Sequence, residues 1–288
     1  AMAYIGDIVK EKDRGKAMGL YTLMFATGNA VGPMMGGFIS NLYGLSMPFY
    51  ITSVLALFSG FTILFGIKES FKAEEKTPIK AKKISLDFIK KPYTYLKTIT
   101  PYSKTFLGIS LGSFTVFFGL AVIYPMLPLY GTNVLNISNF QIGLLFTIMG
   151  VVQMIFMFPA GSLGDRIGRK KMIVVGSIIS ALFSGAIVLA LGFYSLVFII
   201  IFYTIGRSIA RPSIPALVTS LTPKRNRGKG MGIYTFFQNL AWAGGSFVSG
   251  IISDLYGRQY PFVFALIVGL LGAVIIILTV EEPDGFDE

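Results

Sequence analysis

Two arginines lie inside an otherwise apolar stretch of the sequence. Arg207 and Arg211 are four residues apart in the segment 196–221, so on a helix they share one face. A guanidinium is always charged, and its planar fork of donors binds carboxylates and phosphates. Charged side chains within a membrane are costly and normally face a cavity or a partner. We expect Arg207, near the middle of the segment, to face a cavity and to pair with a group on a helix outside this sequence, with backbone carbonyls or with an anionic substrate. Arg211, beside Pro212, fits a structural role as well as a substrate role.

Polar and aromatic residues in other apolar segments are further candidates for a cavity wall. Each can equally be explained as a packing contact between helices. They are Gln238, Asn239, Trp242, Asn29, Gln153, Tyr124 and Phe117. The chain has no Cys and no His, which removes thiolate and imidazole ligands and most nucleophilic triads. We therefore expect no metal site, no cofactor and no enzyme activity.

A basic turn with the sequence GSLGDRIGRKK occupies 161–171, between two long apolar segments. Its candidate functional residues are Gly161, Gly164, Asp165, Arg166, Gly168, Arg169 and Lys170. An ordinary basic loop would explain the charge. It would not explain the fixed spacing of the glycines and the aspartate.

A second pattern of small residues lies in the segment 17–42. It consists of Gly19, Gly28, Gly32, Pro33, Gly36 and Gly37. Small residues at helical spacing let a neighbouring backbone approach closely, and Pro33 removes a backbone donor and bends the helix. Generic close packing is the alternative explanation.

The composition is that of a membrane protein. Of the 288 residues, 53% are hydrophobic and 14% are charged, against about 25% charged in soluble domains. Spans of about 20 apolar residues can cross a bilayer. We predict eight such spans and interpret residues 1–9 as the end of a further helix, which suggests a truncated N-terminus. The spans are 17–42, 48–67, 105–130, 139–163, 172–191, 196–221, 229–254 and 261–280.

The basic residues alternate from loop to loop. Residues 10–16, 68–104, 164–171 and 222–229 hold 22 of the 25 Lys and Arg. The positive-inside bias assigns these loops, and the C-terminal tail, to the cytoplasm. The net charge of +11 therefore does not require a nucleic-acid partner. The long segment 68–104 mixes apolar and basic residues and fits either a segment lying on the inner membrane surface or a solvated linker.

An internal repeat divides the chain. Residues 13–49 align without gaps on 226–262, a shift of 213, with 17 identities in 37 positions. Both copies predict a loop, a helix, a turn and a second helix in the same membrane orientation. Parallel repeats of this kind relate the halves of some transporters.

Together, the basic turn, the glycine pattern and the repeat resemble the major facilitator superfamily of secondary transporters. The resemblance implies an all-α integral membrane protein with eight full transmembrane helices and the end of a ninth, corresponding to the end of helix 4 through helix 12 of a twelve-helix plan. Residues 1–67 would be the remainder of the N-terminal half, 68–104 the cytoplasmic central loop, 105–280 the C-terminal six-helix half and 281–288 a cytoplasmic tail. The missing N-terminal helices would be partners within the same protein.

By this resemblance, the basic turn is a gate on the cytoplasmic side. Asp165 would face the start of the opposite half's fifth helix, and Arg166 and Arg169 would hold the inner gate closed. In the family, the second arginine often pairs with an acid at the end of the following even helix. Ser220 stands at that position here, which weakens the expected latch.

The glycine pattern is similar to the fifth-helix signature of the proton antiporters of the superfamily, mainly drug exporters. It implies proton-coupled efflux of lipophilic or amphipathic small molecules across the cell membrane by alternating access. Two alternatives remain. The first is uptake or exchange of an organic anion through Arg207 and Arg211, and the second is a non-transporting membrane sensor or assembly partner. A carboxylate that carries the proton would lie in the missing helices.

Overall fold

The computed structural model describes residues 14–66 and 92–282, which form helices joined by short turns. The predicted helix end over 1–9, most of the central segment 68–104 and residues 283–288 lie outside the described residues. The helices are α1 (Arg14–Tyr43), α2 (Met47–Gly66), α3 (Pro92–Ile99), α4 (Ser103–Asn133), α5 (Asn139–Ile167), α6 (Arg169–Ala186), α7 (Phe193–Ala210), α8 (Ser213–Ser220), α9 (Arg227–Tyr256) and α10 (Tyr260–Thr279).

Each predicted span corresponds to a long helical segment within a few residues of the predicted bounds. Within the described residues, six of these eight segments are long and apolar enough to cross a membrane, and the other two are α1 and α9. The predicted span 196–221 is confirmed as one segment over Phe193–Ser220, but its helix is interrupted. The helix stops at Ala210 and resumes at Ser213, since Pro212 has no backbone donor and its ring disfavours a continuous helix.

The internal repeat is reproduced in the helix bounds. Helices α1 and α9 both have 30 residues, α2 and α10 both have 20, and all four bounds keep the shift of 213 residues. The connecting turns contain Gly44 with φ +89° and Gly257 with φ +108°. Glycine adopts this left-handed region without the steric cost of a Cβ. The repeated sequence therefore encodes one hairpin twice.

The described helices divide into two units. The first contains α1, α2 and residues 139–147 at the start of α5. Within it, α1 approaches the start of α5 closely: a Cβ placed on Gly37 would lie 2.6 Å from the carbonyl oxygen of Asn139 and 3.0 Å from the Cα of Gly143. Phe38 packs edge-on against Phe140 beside this contact. The glycines thus allow two backbones to touch.

The second unit contains α3, α4, the rest of α5 and α6 to α10. Helix α4 packs against α9 and α10, and α6 packs against α7 and α10. At the α6–α7 crossing, a Cβ on Gly176 would lie 2.5 Å from the carbonyl oxygen of Gly206 and 2.7 Å from the amide nitrogen of Ala210. Lipid is as apolar as a helix surface, so close packing of this kind drives helix association in a membrane.

Candidate functional site: an arginine cavity and a basic turn

A narrow cavity lies inside the second unit, between α4, α6, α7 and α10. It has about 40 Å³ of space open to the centre of a water-sized molecule, which is enough for about three waters. Its polar lining comes from α6 and α7, and its apolar lining includes Phe117 of α4. The polar lining residues are Ser177, Ser180, Ser184, Tyr203, Arg207 and Arg211.

The guanidinium of Arg207 lies among aromatic rings. Its Cζ is 5.6 Å from the centroid of the Tyr124 ring and 5.9 Å from that of Tyr203, within range for a cation–π interaction. It also interacts with the hydroxyl groups of both tyrosines. The Tyr124 ring packs edge-on against Trp242, with centroids 5.5 Å apart. A chain of three contacting side chains thus runs from α9 through α4 to the arginine.

The structure brings together five of the predicted cavity residues. Three of them line the cavity: Arg207, Arg211 and Phe117. Tyr124 contacts Arg207, and Trp242 contacts Tyr124. Arg211 is exposed and caps the end of α7, so the cavity reaches the surface of the unit at this end.

The remaining four predicted residues are absent from the lining of this cavity. Gln153 and Gln238 are half-buried, and Asn29 and Asn239 are exposed. Gln238 lies one helical turn before Trp242, so the two share a face of α9. The prediction that these four face a substrate cavity stays untested.

Sequence reasoning missed Tyr203 and the three serines. Tyr203 lies one turn before Arg207, and Ser177, Ser180 and Ser184 recur at helical spacing in an apolar helix. That spacing is a signal for one polar face. Serine is also common in membrane helices as a packing residue, so the pattern alone did not identify a cavity.

The basic turn is a tight connection between α5 and α6. Gly168 alone separates the two helices, and its φ of +108° suits glycine. A Cβ at Gly168 would lie 2.8 Å from a carboxylate oxygen of Glu282, and one at Gly164 would lie 2.9 Å from the Oγ of Ser213. Gly161, by contrast, has nothing within 4 Å of such an atom. Gly168 is therefore favoured by its backbone conformation, and two of the three glycines in the turn lie close to side chains of other segments.

Arg169 connects the turn to α8. Its Nε and Nη2 donate to Oδ1 of Asp165 at 3.1 and 2.9 Å, and its Nη1 donates to the carbonyl oxygen of Ala216 at 2.9 Å. The sequence lacked an acid at Ser220 for this arginine. The described contacts instead provide a backbone carbonyl one turn earlier in α8. Arg166 is exposed, so the two arginines of the turn are not equivalent.

Glu282 was not expected in this site. Its Oε1 accepts from the backbone N–H of Lys170 at 2.8 Å, in the first turn of α6. The Nζ of Lys170 donates to the carbonyl oxygen of Ile277 at 2.9 Å. A carboxylate at a helix N-terminus satisfies a free donor and the helix dipole together. The residues that follow α10 therefore hold the start of α6.

The glycine pattern of α1 is only partly in contact within the described residues. Gly37 lies against Gly143, and the carbonyl oxygen of Pro33 lies against Gly143 as well. Gly28, Gly32 and Gly36 have nothing within 4 Å of a placed Cβ. Gly19 lies in the same helix. The pattern therefore gives α1 a face without side chains, which approaches α5 closely near the C-terminal end of α1.

Comparison with known proteins identifies one family and relatives with similar names. A model of the Major Facilitator Superfamily matches residues 1–107 and 109–286. The chain is 28% identical to Multidrug resistance protein 2 of Bacillus subtilis over 94% of the chain and 66% of that protein. It is 29% identical to the multi-drug resistance efflux pump PmrA of Streptococcus pneumoniae over 91% of the chain and 63% of that protein. The chain thus spans about two thirds of the length of these relatives.

A solved structure shares the fold. A transporter of the POT family, crystallised in complex with 5-aminolevulinic acid, superposes with a TM-score of 0.70 over 96% of this chain and 72% of its own, at 14% identity. The apolar helices make this a multi-pass protein of the cell membrane. With its repeated hairpins, its basic turn and a family match along almost the whole sequence, the chain belongs to the Major Facilitator Superfamily.

Proposed function

We propose that this chain forms part of a secondary transporter that exports lipophilic or amphipathic small molecules in exchange for protons. The observation that carries the proposal is the complete glycine–proline pattern of α1. Its last glycine, Gly37, is in backbone contact with Gly143 of α5. A helix that can lie this close to its neighbour can seal a transport pathway against leakage of ions, which an exchanger requires.

The relatives support the same class of substrate. Two proteins that align with more than nine tenths of this chain are named as multidrug resistance proteins. An efflux protein of that kind handles chemically varied compounds, for which adaptable apolar and aromatic walls are suited better than fixed polar contacts. The ring contacts between Tyr124 and Trp242 provide walls of this type.

The basic turn supports alternating access as the mechanism. Arg169 joins Asp165 to the Ala216 carbonyl through three hydrogen bonds. Such bonds hold α5, α6 and α8 together at one end of the unit and would have to rearrange when that end opens. We propose that this cluster is a latch that holds the cytoplasmic gate closed in the C-terminal half.

Proton coupling requires a group that titrates inside the membrane. The acids among the described residues are Asp165, Asp254, Glu281 and Glu282, and each lies at or near the end of a helix. The carboxylate that exchanges the proton would therefore lie in another part of the protein. The proposal assigns to the described helices the pathway and the latch, and not the proton carrier.

The test uses the full-length gene product in proteoliposomes whose lumen is more acidic than the outside. Lumenal pH is followed with a trapped dye while lipophilic cations, neutral amphiphiles and organic anions are added in turn. We expect lipophilic compounds to raise the lumenal pH, because each molecule that enters releases a proton. Asp165→Asn should reduce this response about tenfold, since it removes the charge-assisted acceptor of Arg169.

Asp254→Asn is the matched control. Asp254 is also an exposed carboxylate, but it lies near the C-terminal end of α9 and is not part of the latch. It should leave the response unchanged. If the well-folded protein shows no change in lumenal pH with any compound, the proposal is overturned in favour of a sensor or assembly partner.

Organic-anion exchange is a second candidate function. It is favoured by Arg207 and Arg211, which line the same cavity. Proton movement or uptake evoked by organic anions alone, and lost in Arg207→Gln, would support this candidate over drug efflux.

A further inference from the structure

The charge of Arg207 is not balanced by its described neighbours. None of the described residues that line the cavity is acidic. Cation–π contacts with two tyrosines stabilise the guanidinium. The negative end of the α7 helix dipole stabilises it further, but neither supplies a full negative charge. Removing an ion from water is costly unless the ion is paired, and a second cation, Arg211, lines the same cavity. Two like charges that line one small space favour an anion between them.

Ser177 supplies an independent sign of a ligand. Its side chain is 1% exposed, and its Oγ has no hydrogen-bond partner among the described residues. It nevertheless lines the cavity. The neighbouring hydroxyl groups are satisfied, since Ser180 donates to the carbonyl oxygen of Ser177 and Ser184 donates to that of Ala181. A buried hydroxyl without a partner is destabilising, so a bound species that accepts a hydrogen bond from it would remove this cost.

The glycine crossing brings together the backbones that carry Ser177 and Arg207. Ser177 follows Gly176 and Arg207 follows Gly206, the two glycines whose backbones touch where α6 crosses α7. A Cβ on Gly206 would also lie 2.6 Å from the amide nitrogen of Ser180. The guanidinium and the free hydroxyl therefore enter the cavity from adjacent positions on two helices in backbone contact.

We infer that this cavity binds one small monovalent inorganic anion of halide size, held by Arg207 and Arg211 and by a hydrogen bond from Ser177. The size of the cavity decides between a small ion and a drug-like ligand. About 40 Å³ holds about three waters, whereas drug-sized ligands occupy pockets of about 300–1,000 Å³. All lining residues belong to the second unit. The anion is a fixed counter-ion of this unit, and the inference does not depend on the proposed efflux function.

Trp242 is a built-in reporter for the test. It is the single tryptophan of the chain, and it contacts Tyr124, which in turn contacts Arg207. Chloride is titrated against gluconate at constant ionic strength into the purified protein in lipid nanodiscs, and the tryptophan emission and the melting temperature are recorded. We expect a saturable change in emission and a rise in melting temperature with chloride. Both responses should disappear in Arg207→Gln.

Two serine variants keep the test independent of any folding defect in Arg207→Gln. Ser177→Ala should weaken chloride binding about tenfold, the loss expected for one hydrogen bond to a charged group. In gluconate alone, it should melt no lower than the parent, because it removes a hydroxyl without a partner. Ser113→Ala is the matched control. Ser113 is also buried with an unsatisfied Oγ, but it does not line the cavity, so its substitution should leave chloride affinity unchanged.

Three outcomes would overturn the inference. The first is a response that rises linearly with chloride, which would mean that only water fills the cavity. The second is equal chloride affinity in the parent, Ser177→Ala and Arg207→Gln. The third is a saturable response to organic carboxylates without any response to chloride, which would make the cavity part of a substrate site. The outcome of the chloride titration does not determine whether lipophilic compounds evoke proton release. The anion site and the proposed efflux function can therefore fail independently.

Discussion

The two hairpins α1–α2 and α9–α10 have nearly the same architecture and very different surroundings. Their helices have the same lengths and the same glycine turn. Phe49 is 73% exposed, whereas Phe262, at the equivalent position 213 residues later, is fully buried. Ile63 and Ile276 form a second such pair, at 55% and 0%. Identical residue types therefore have opposite burial at equivalent positions.

The comparison separates two kinds of information. Where a helix starts, turns and stops depends on local features such as the left-handed glycine and the apolar run, and these features are repeated. Whether a side chain is buried depends on which neighbours are present. Phe262 packs edge-on against Tyr130 of α4, with ring centroids 5.1 Å apart, while α2 has no buried residue among the described helices.

The largest expected effect comes from the phenylalanine pair. Phe262→Ala should lower the free energy of unfolding by about 3 kcal/mol, the low end of the usual range. Lipid is as apolar as the protein interior, so the variant mainly loses the packing contacts of the ring. Phe49→Ala should change it by less than about 0.5 kcal/mol. Unfolding of this chain in mixed detergent and dodecyl sulfate, followed by circular dichroism, measures both. Equal losses would contradict the difference in burial.

The glycine pair Gly32 and Gly245 gives an intermediate effect. A Cβ on Gly245 would lie 2.5 Å from the carbonyl oxygen of Phe118 and 2.7 Å from the Cβ of Ala121, while one on Gly32 would meet nothing within 4 Å. Gly245→Ala should therefore cost about 1–3 kcal/mol. Gly32→Ala should be neutral or slightly stabilising, because alanine favours a helix.

The Gly32 variant also tests the sealing role proposed for α1. Gly32→Ala should fold normally and yet increase proton leak in proteoliposomes, measured as the rate at which the pH gradient decays without substrate. A tight, normally coupled Gly32→Ala protein would reduce the glycine pattern to ordinary helix packing. Gly28→Ala, at another open position in α1, shows whether the effect belongs to one site or to the whole face.

The smallest effect concerns the residue that follows the second hairpin. Glu282→Gln keeps an acceptor for the backbone N–H of Lys170 but removes the charge at the start of α6, so it should cost about 0.5–1 kcal/mol. The neighbouring Glu281→Gln, which changes an exposed carboxylate, should cost less. The same unfolding measurement compares the two variants, and a larger cost for Glu281→Gln would exclude Glu282 as the partner of α6. Glu69, the repeat equivalent of Glu282, lies outside the described residues.

The candidate site was only partly predictable from the sequence. Arg207 and Arg211 were identified because a charge in an apolar segment is costly, and the cost does not depend on the fold. Tyr203 and Ser177 were missed because tyrosine and serine are ordinary residues in such a helix. Arg169 was expected to lack its usual acid, and its contact with the Ala216 carbonyl could not be foreseen, because every residue has a backbone carbonyl and no sequence signal marks which one is reached.

The sequence by itself determined the all-helical class, the approximate spans, the hairpin repeat and the family. Those features follow from local periodicity, from the length of bilayer spans and from motifs at fixed spacing. Only the tertiary structure decided that Ser177 shares a cavity with Arg207 and that Glu282 holds the start of α6. These contacts join residues far apart in the chain, and their distances depend on how closely the helices pack, which is set by glycines whose partners the sequence does not name.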